Sequence, residues 1–529
     1  MDVHLSLQAM ALGCLGLCGP VIAQHVPEPL AMQAVHQSQQ APAPLKVAAL
    51  TQPALAAGPA AQMLRGEPAR PVAVFEALKR AEMSDQDIVL LAQPVGDDSL
   101  PPLFAHRQEQ PMSLASTTKL ITTLAALDTL GPKYRWRTRA YLDGPLHEGV
   151  LYGDLRIVGG GDARLGSGDL VDWFKLMRQH GLAEIRGHIV LDRQAFQLTA
   201  ADHVNTPVPS AEHPRHNRPN ALWVDEGRVL VDVAGAADGA PQALLPLPGD
   251  DIEVDNRLLL RRTTGCVDLR SRPFLSLDES ATPMRAMLTG EWALDCAPLR
   301  LEVAALQATR FVARRVGAAW HAAGGQLDGE VLDAQERESA AFLSLLPPKP
   351  WLVLESPELG DLIREMNKSS DNLMARHLML SLADRFPSRP ATLDAARRRV
   401  DQWLQRRGLG DADLHVDNGS GLAHAERGRA SALVKLLQRA WGSRTAQVFR
   451  DSLPLAGKDG TLANRLRNLD AGAEAALKTG SLSQTRALAG YVRARSGRVY
   501  AMAAIINHAF AARGEPALDA FVEWVAKNG

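Results

Sequence analysis

The strongest constraint on this 529-residue chain is the separation of three polar motifs, each occurring once: Ser116-Thr117-Thr118-Lys119, Ser370-Asp371-Asn372 and Lys478-Thr479-Gly480. A serine hydroxyl is a poor nucleophile at neutral pH, so it needs a base within hydrogen-bond reach and donors for a developing oxyanion. If the three motifs serve one reaction, Ser116 and Ser370, 254 positions apart, must meet, and much of the chain between them is an insertion.

Local patterns suit each motif to that task. Leu120, Ile121, Leu124 and Leu127 fall at helical spacing, so Ser116 starts a helix and Lys119 lies one turn on, facing the same way. Helical periodicity on both sides of Ser370 to Asn372 puts that triplet at a helix-helix junction. AALKTGSLSQ, TRALAGYVRAR and RVYAMAAIIN read as adjoining antiparallel strands around a Ser496-Gly497 turn, so Lys478-Thr479-Gly480 sits on a strand. From Leu142 to about Lys349 short strand-like runs dominate, which predicts an inserted β-rich region of two subdomains over 142–349. The flanking 62–141 and 350–529 then form one discontinuous domain.

The chemistry follows from the residue types. Lys119 can take the proton of Ser116 Oγ if burial and the nearby charge of Lys478 lower its pKa. Ser370 can relay a proton to a leaving amine, and Asn372 can hold Lys119 and a substrate amide, with Asp371 structural. A strand carrying Lys478 and Thr479 can pair with an extended peptide and present a cation and a hydroxyl to its carboxylate, Gly480 leaving room for the approach. The backbone N–H groups of Ser116 and Ser481 would form the oxyanion hole. Taken singly, each motif also reads as an ordinary capping serine, polar turn or edge strand. Order and uniqueness give the set its weight.

Lys plus Arg number 58 against 59 Asp plus Glu, for a net charge of −1, which excludes the basic excess of a nucleic-acid-binding chain. Residues 5–23 have the length of a secretory apolar region ending in Val21-Ile22-Ala23, so 1–23 is expected to be a signal peptide, although no Lys or Arg precedes the apolar run. No later window approaches the about 20 apolar residues of a membrane span. The Ala/Pro/Gln-rich 24–61 reads as a flexible linker. Of the four cysteines, Cys14 and Cys18 leave with the signal; Cys266 and Cys296 are expected to form a disulfide, with two buried thiols as the alternative.

Besides the three motifs, the segments GVLYGDL, GGGDARL, GHIVLDRQAF, GEWALDC, DNGSGL and LPLAGKDGTL stand between Met112 and Asn507. With these the chain resembles the D-alanyl-D-alanine carboxypeptidase/endopeptidase family of class C low-molecular-mass penicillin-binding proteins, peptidase family S13; the motif set itself is a recognised signature of penicillin-binding enzymes. The resemblance implies an α/β penicillin-binding domain, an antiparallel sheet flanked by helices, with β-rich domains inserted between the first two motifs. It implies an acyl-enzyme on Ser116, no metal or cofactor, and cleavage of terminal D-Ala-D-Ala bonds or D-Ala-meso-diaminopimelate cross-links. Partners would be peptidoglycan peptides, with β-lactams as covalent inhibitors, in the periplasm or cell envelope. Asp162 of GGGDARL would contact the substrate's amino side arm. The chain departs from the family at Ala423-His424, where Ser-Arg is frequent, and at Arg376, where an acid is usual.

Other readings remain. A β-lactamase or esterase on the same scaffold would carry the same motifs, as would a catalytically silent peptidoglycan-binding protein. His203, His213 and His216 suggest a zinc site only weakly, with no H-E-x-x-H in the chain. Gly457-Lys458-Asp459 lacks the Ser/Thr of a phosphate loop.

Overall fold

Two alternating faces organise the sheet that carries the Lys-Thr-Gly motif. Its strands run in the order Glu474–Leu482, Thr485–Arg493, Val499–Asn507, Ile88–Pro94 and Phe104–His106, all antiparallel. Leu488, Met502, Ala504 and Ile506 point to helices α1 (Val72–Arg80) and α10 (Glu515–Asn528), where they bury Val74, Leu78, Phe521 and Val525. Ala487, Ala489, Ala503 and Ile505 face the other way, toward α2 (Lys119–Thr129) and α8 (Ala430–Trp441). The small side chains on that second face let the turn preceding α2 lie close to the sheet. The structure is a computed structural model that describes residues 31–33 and 70–529, apart from 98, 205, 212, 214–215, 236–240, 246–250, 262–271, 294–297 and 335–348. The expected signal peptide and both Cys266 and Cys296 lie outside the described residues.

Around α2 pack α5 (Leu359–Ser369), α6 (Asn372–Ser381), α7 (Leu393–Gln405) and α9 (Ala446–Ser452), their apolar faces sharing one core with it. Among the described residues no helix is long and apolar enough to cross a membrane.

The insertion begins and ends on paired strands. Arg137–Asp143 lies antiparallel to Leu352–Glu355, with Arg137 opposite Glu355, and both join a sheet with Asp154–Val158, Ile189–Asp192 and Val331–Asp333. The composition changes expected at 142 and 350 fall at this hydrogen-bonded pair of strands. Nor is the insertion built of strands alone. Helices α3 (Ser167–Gln179) and α4 (Ala308–Ala322) pack together, Phe174 meeting Trp320 edge-on at 5.5 Å. Smaller sheets built on Arg228–Gly235 and Met284–Thr289 complete it. Within the stretch expected to be a linker, Ala31–Gln33 form a strand parallel to Leu352–Glu355.

The insertion meets the catalytic helices through His377 on α6, which is fully buried. Its Nδ1 lies 2.9 Å from the Gly161 carbonyl and its Nε2 3.3 Å from the Asn220 N–H, so a neutral ring donates to one and accepts from the other. Phe196 packs edge-on against it. Nearby, Arg164 pairs with Glu365 of α5 and the Arg376 guanidinium donates to the Asn217 carbonyl.

Burial pulls the His377 pKa from 6.5 down to about 4. Because the unfolded chain then binds the extra proton first, stability is full above pH 6.5 and declines as pH falls toward 4, by roughly 3 kcal/mol for this group. Unfolding titrations should show that loss in the wild type. His377→Leu should start less stable at pH 7, by about 1–3 kcal/mol for its orphaned backbone partners, yet lack this acid-dependent component.

Candidate active site

Ser116 occupies a tight 3-10 turn, Ala115–Thr118, that runs directly into α2. The turn is fixed by Ala115 in the left-handed region (φ 45°) and by Thr117 Oγ1, which donates to the Leu114 carbonyl at 2.6 Å. One turn on, the buried Lys119 Nζ donates to Ser116 Oγ at 3.1 Å, to Asn372 Oδ1 at 2.6 Å and to the Ser420 carbonyl at 2.5 Å. The first two motifs thus meet through one ammonium group.

Ser370 ends α5 in the left-handed conformation (φ 60°, ψ 39°), which turns the chain sharply so that α6 can begin two residues later. Asp371 caps α6, its Oδ1 accepting from the Met374 N–H at 2.7 Å, which is the structural part expected of it. Asn372, in the first turn, is thereby aimed at Lys119. Lys478 Nζ reaches across from the sheet to Ser370 Oγ at 2.8 Å and to the Thr479 carbonyl at 2.8 Å. Burial, and secondarily the charge of Lys119, hold the Lys478 pKa well below its usual value. A depressed lysine beside a serine hydroxyl is equipped to pass a proton to it.

Glu474–Leu482 is the outer strand of its sheet. Part of its free edge is covered: the Leu477 N–H donates to the Pro454 carbonyl at 2.9 Å and Leu455 bridges to Ala476. Thr479 lies just past this cover, its hydroxyl 2.8 Å from that of Thr461, and the exposed Ser481 follows. Gly480 also borders the nucleophile turn. A Cβ there would stand 2.8 Å from the Leu114 carbonyl and 3.2 Å from the Ala115 Cβ, so the missing side chain admits the Ser116 turn. One close approach that needs glycine is thus internal to the protein.

A fourth wall went unrecognised in the sequence. The loop Asp417–Leu422 supplies the Ser420 carbonyl that holds Lys119, and a Cβ on Gly421 would fall 2.0 Å from the Ala115 carbonyl. Beneath the loop, the buried Glu426 Oε1 accepts from the N–H groups of Asp417, Asn418 and Gly419 at 3.2, 3.0 and 2.8 Å. The run DNGSGL stood out in the sequence, but only as part of the resemblance; no local pattern ties it to Lys119.

Asp162 is not hydrogen-bonded to any of the three motifs. It is buried, accepts from the Arg164 N–H at 2.8 Å, and burial raises its pKa to about 7. Arg376 points inward to the insertion, burial pulling its pKa to about 10, while His424 is exposed. His213 and His216 stack with centroids 5.1 Å apart, and among the described residues no three His, Cys, Asp or Glu side chains gather as metal ligands.

The sequence pattern of the D-Ala-D-Ala carboxypeptidase 3 (S13) family matches residues 73–528. The chain belongs to that family. It is 29% identical over 418 residues to a D-alanyl-D-alanine carboxypeptidase of Actinomadura sp. (strain R39), covering 75% of this chain and 74% of the relative. To D-alanyl-D-alanine carboxypeptidase DacB of Haemophilus influenzae it is 24% identical over 418 residues, 75% of this chain and 80% of the relative. The crystal structure of penicillin binding protein 4 (dacB) from Haemophilus influenzae superposes with a TM-score of 0.63 at 21% identity, over 80% of this chain and 90% of that one. The penicillin-binding fold expected from the sequence is therefore present, and with S13 membership the chain is a serine peptidase of the D-Ala-D-Ala carboxypeptidase family.

Two buried ammonium groups cost stability. Lys478→Met should raise stability at pH 7 by about 1 kcal/mol or more, since a buried charge is removed at the cost of its two acceptors. The wild-type lysine titrates below its unfolded value, so the unfolded chain binds the proton more tightly and wild-type stability rises with pH across that window. Melting curves should show the gap narrowing as pH rises, with β-lactam acylation lost in the mutant throughout.

Proposed function

We propose that Ser116 Oγ attacks the carbonyl carbon of the penultimate D-Ala of a peptidoglycan stem peptide while Lys119 Nζ takes its proton. The observation that carries this reading is the single chain of contacts Ser116–Lys119–Asn372 together with Lys478–Ser370. The N–H groups of Ser116 and Ser481 would hold the oxyanion of the tetrahedral adduct, each donor worth about 3 kcal/mol. As the C–N bond breaks, a proton passes through Ser370 Oγ, replenished by Lys478, to the leaving amine. Water then attacks the acyl ester and the peptide leaves as its carboxylic acid, Lys119 returning its proton to Ser116 Oγ while the proton lost by the water restores Lys478. Thr479 and Lys478 would meet the substrate carboxylate, the peptide lying along the open part of the Glu474–Leu482 edge beside Gly480.

In a carboxypeptidase reaction the leaving amine is the terminal D-Ala; in an endopeptidase reaction it is the cross-linked diamino acid of a neighbouring stem. Both pass through the same acyl-enzyme, and this site serves either. Asp162, carried on the insertion, would face the amino side arm of the substrate; an ammonium beside it would offset the burial that raises its pKa. A peptidoglycan substrate and the expected leader both favour the bacterial cell envelope as the enzyme's location. The β-lactam complex of the Haemophilus influenzae protein supports β-lactams as covalent ligands here too.

Intact-protein mass spectrometry after benzylpenicillin treatment tests the assignment. A persistent penicilloyl adduct is expected on the wild type and none on Ser116→Ala. Lys119→Arg should acylate at least about 100-fold more slowly, because arginine cannot act as a neutral base. Rapid adduct turnover would favour a β-lactamase. No adduct and no lactam hydrolysis would favour a silent peptidoglycan-binding protein.

A further inference from the structure

The loop behind Lys119 has no part in any of the three motifs, yet its Ser420 carbonyl accepts a 2.5 Å hydrogen bond from that lysine. A carbonyl can orient an ammonium only if the peptide that bears it cannot rotate. Here three successive N–H groups, of Asp417, Asn418 and Gly419, converge on one oxygen of Glu426, forming an anion nest within the protein. Asn418 Oδ1 then accepts from both the N–H and the hydroxyl of Ser420, at 3.1 and 2.6 Å. Gly419 and Gly421 hold positive φ, and backbone contact of Gly421 with Ala115 presses the loop against the Ser116 turn. Glu426 is wholly buried, and its second oxygen has no hydrogen-bond partner in the described residues.

We propose that Glu426 is a positioning residue for acylation: by gathering the 417–419 N–H groups it fixes the Ser420 carbonyl, and through it the direction in which Lys119 Nζ faces Ser116 Oγ. It touches no reacting atom. Its effect therefore falls on the rate of bond formation and leaves initial binding of the acyl donor unchanged. Arg397 plays a supporting part, its guanidinium donating to both the carbonyl and the carboxylate of Asp417 at the loop's start.

This inference rests on the reading of Ser116 as the acylated residue and Lys119 as its base. The test separates the acylation rate constant from the dissociation constant of the initial benzylpenicillin complex, with thermal melting as the control for folding. Glu426→Gln keeps one acceptor oxygen but loses the charge, and should lower the acylation rate constant about 10-fold; Glu426→Leu removes every acceptor and should lower it at least about 100-fold. The initial dissociation constant should stay within about twofold of wild type in both. A wild-type rate constant in either folded variant, or a loss confined to initial binding, would overturn the proposal. Should Glu426→Leu fail to fold, the Gln variant decides alone. An unacylated wild type would instead bring down the reading of Ser116, so the two failures are distinct.

Discussion

Two lysine side chains, Lys119 and Lys478, lie wholly buried in the same small volume, and the rest of the catalytic body is arranged to tolerate them. Transfer of an ammonium group out of water is expensive, and a second like charge adds to the cost. The structure answers Lys478 with two neutral oxygens, Ser370 Oγ and the Thr479 carbonyl, and among the described residues no carboxylate pairs with it. A carboxylate at that distance would hold the proton on and make the group a poor donor. Neutral acceptors satisfy hydrogen-bonding capacity without restoring the usual pKa, so the same burial that destabilises the charge makes it reactive.

That requirement explains why the site draws on four distant chain segments. Each neutral acceptor must be fixed in place without a carboxylate pairing the lysine itself. The left-handed Ser370 between α5 and α6, the Ala115 turn pressed on Gly480 and Gly421, and the nest around Glu426 are all backbone devices with that effect. They demand positive φ or absent side chains, and the packed core of α2, α5, α6 and α8 against the sheet holds them in place.

Such devices differ in how readable they are. The helix after Ser116, the junction at Ser370 to Asn372 and the strand of Lys478 were legible because amphipathic periodicity brackets each motif. The nest was not, since a glutamate five positions past a glycine carries no periodic signal and its burial follows only from tertiary packing. The helices of the insertion were readable in principle: Phe311, Val312, Val316, Ala319 and Trp320 keep helical spacing, yet the surrounding Val- and Gly-rich runs outweighed them. Gly480 was only partly legible, for another reason. A missing Cβ signals a close approach without naming which partner approaches.

The insertion bears on the site through α6, the helix that Asn372 begins and on which His377 lies five residues later. A neutral imidazole accepting from one backbone group of the insertion and donating to another tolerates little rotation, which ties the Gly161 and Asn220 backbone to the helix that aims Asn372 at Lys119. The edge of the Lys478 strand bears on the site from the other side. Residues 454–456 cover its first half, which both protects an otherwise bare edge and fixes where an added strand must start. A peptide pairing from Thr479 onward, as proposed, would have its register set by the protein before any side chain is read. On the proposed reading, substrate discrimination would reside in the insertion while the chemistry stays constant, because the strand edge would locate the bond to be cut and whatever lies beyond it would select the leaving group.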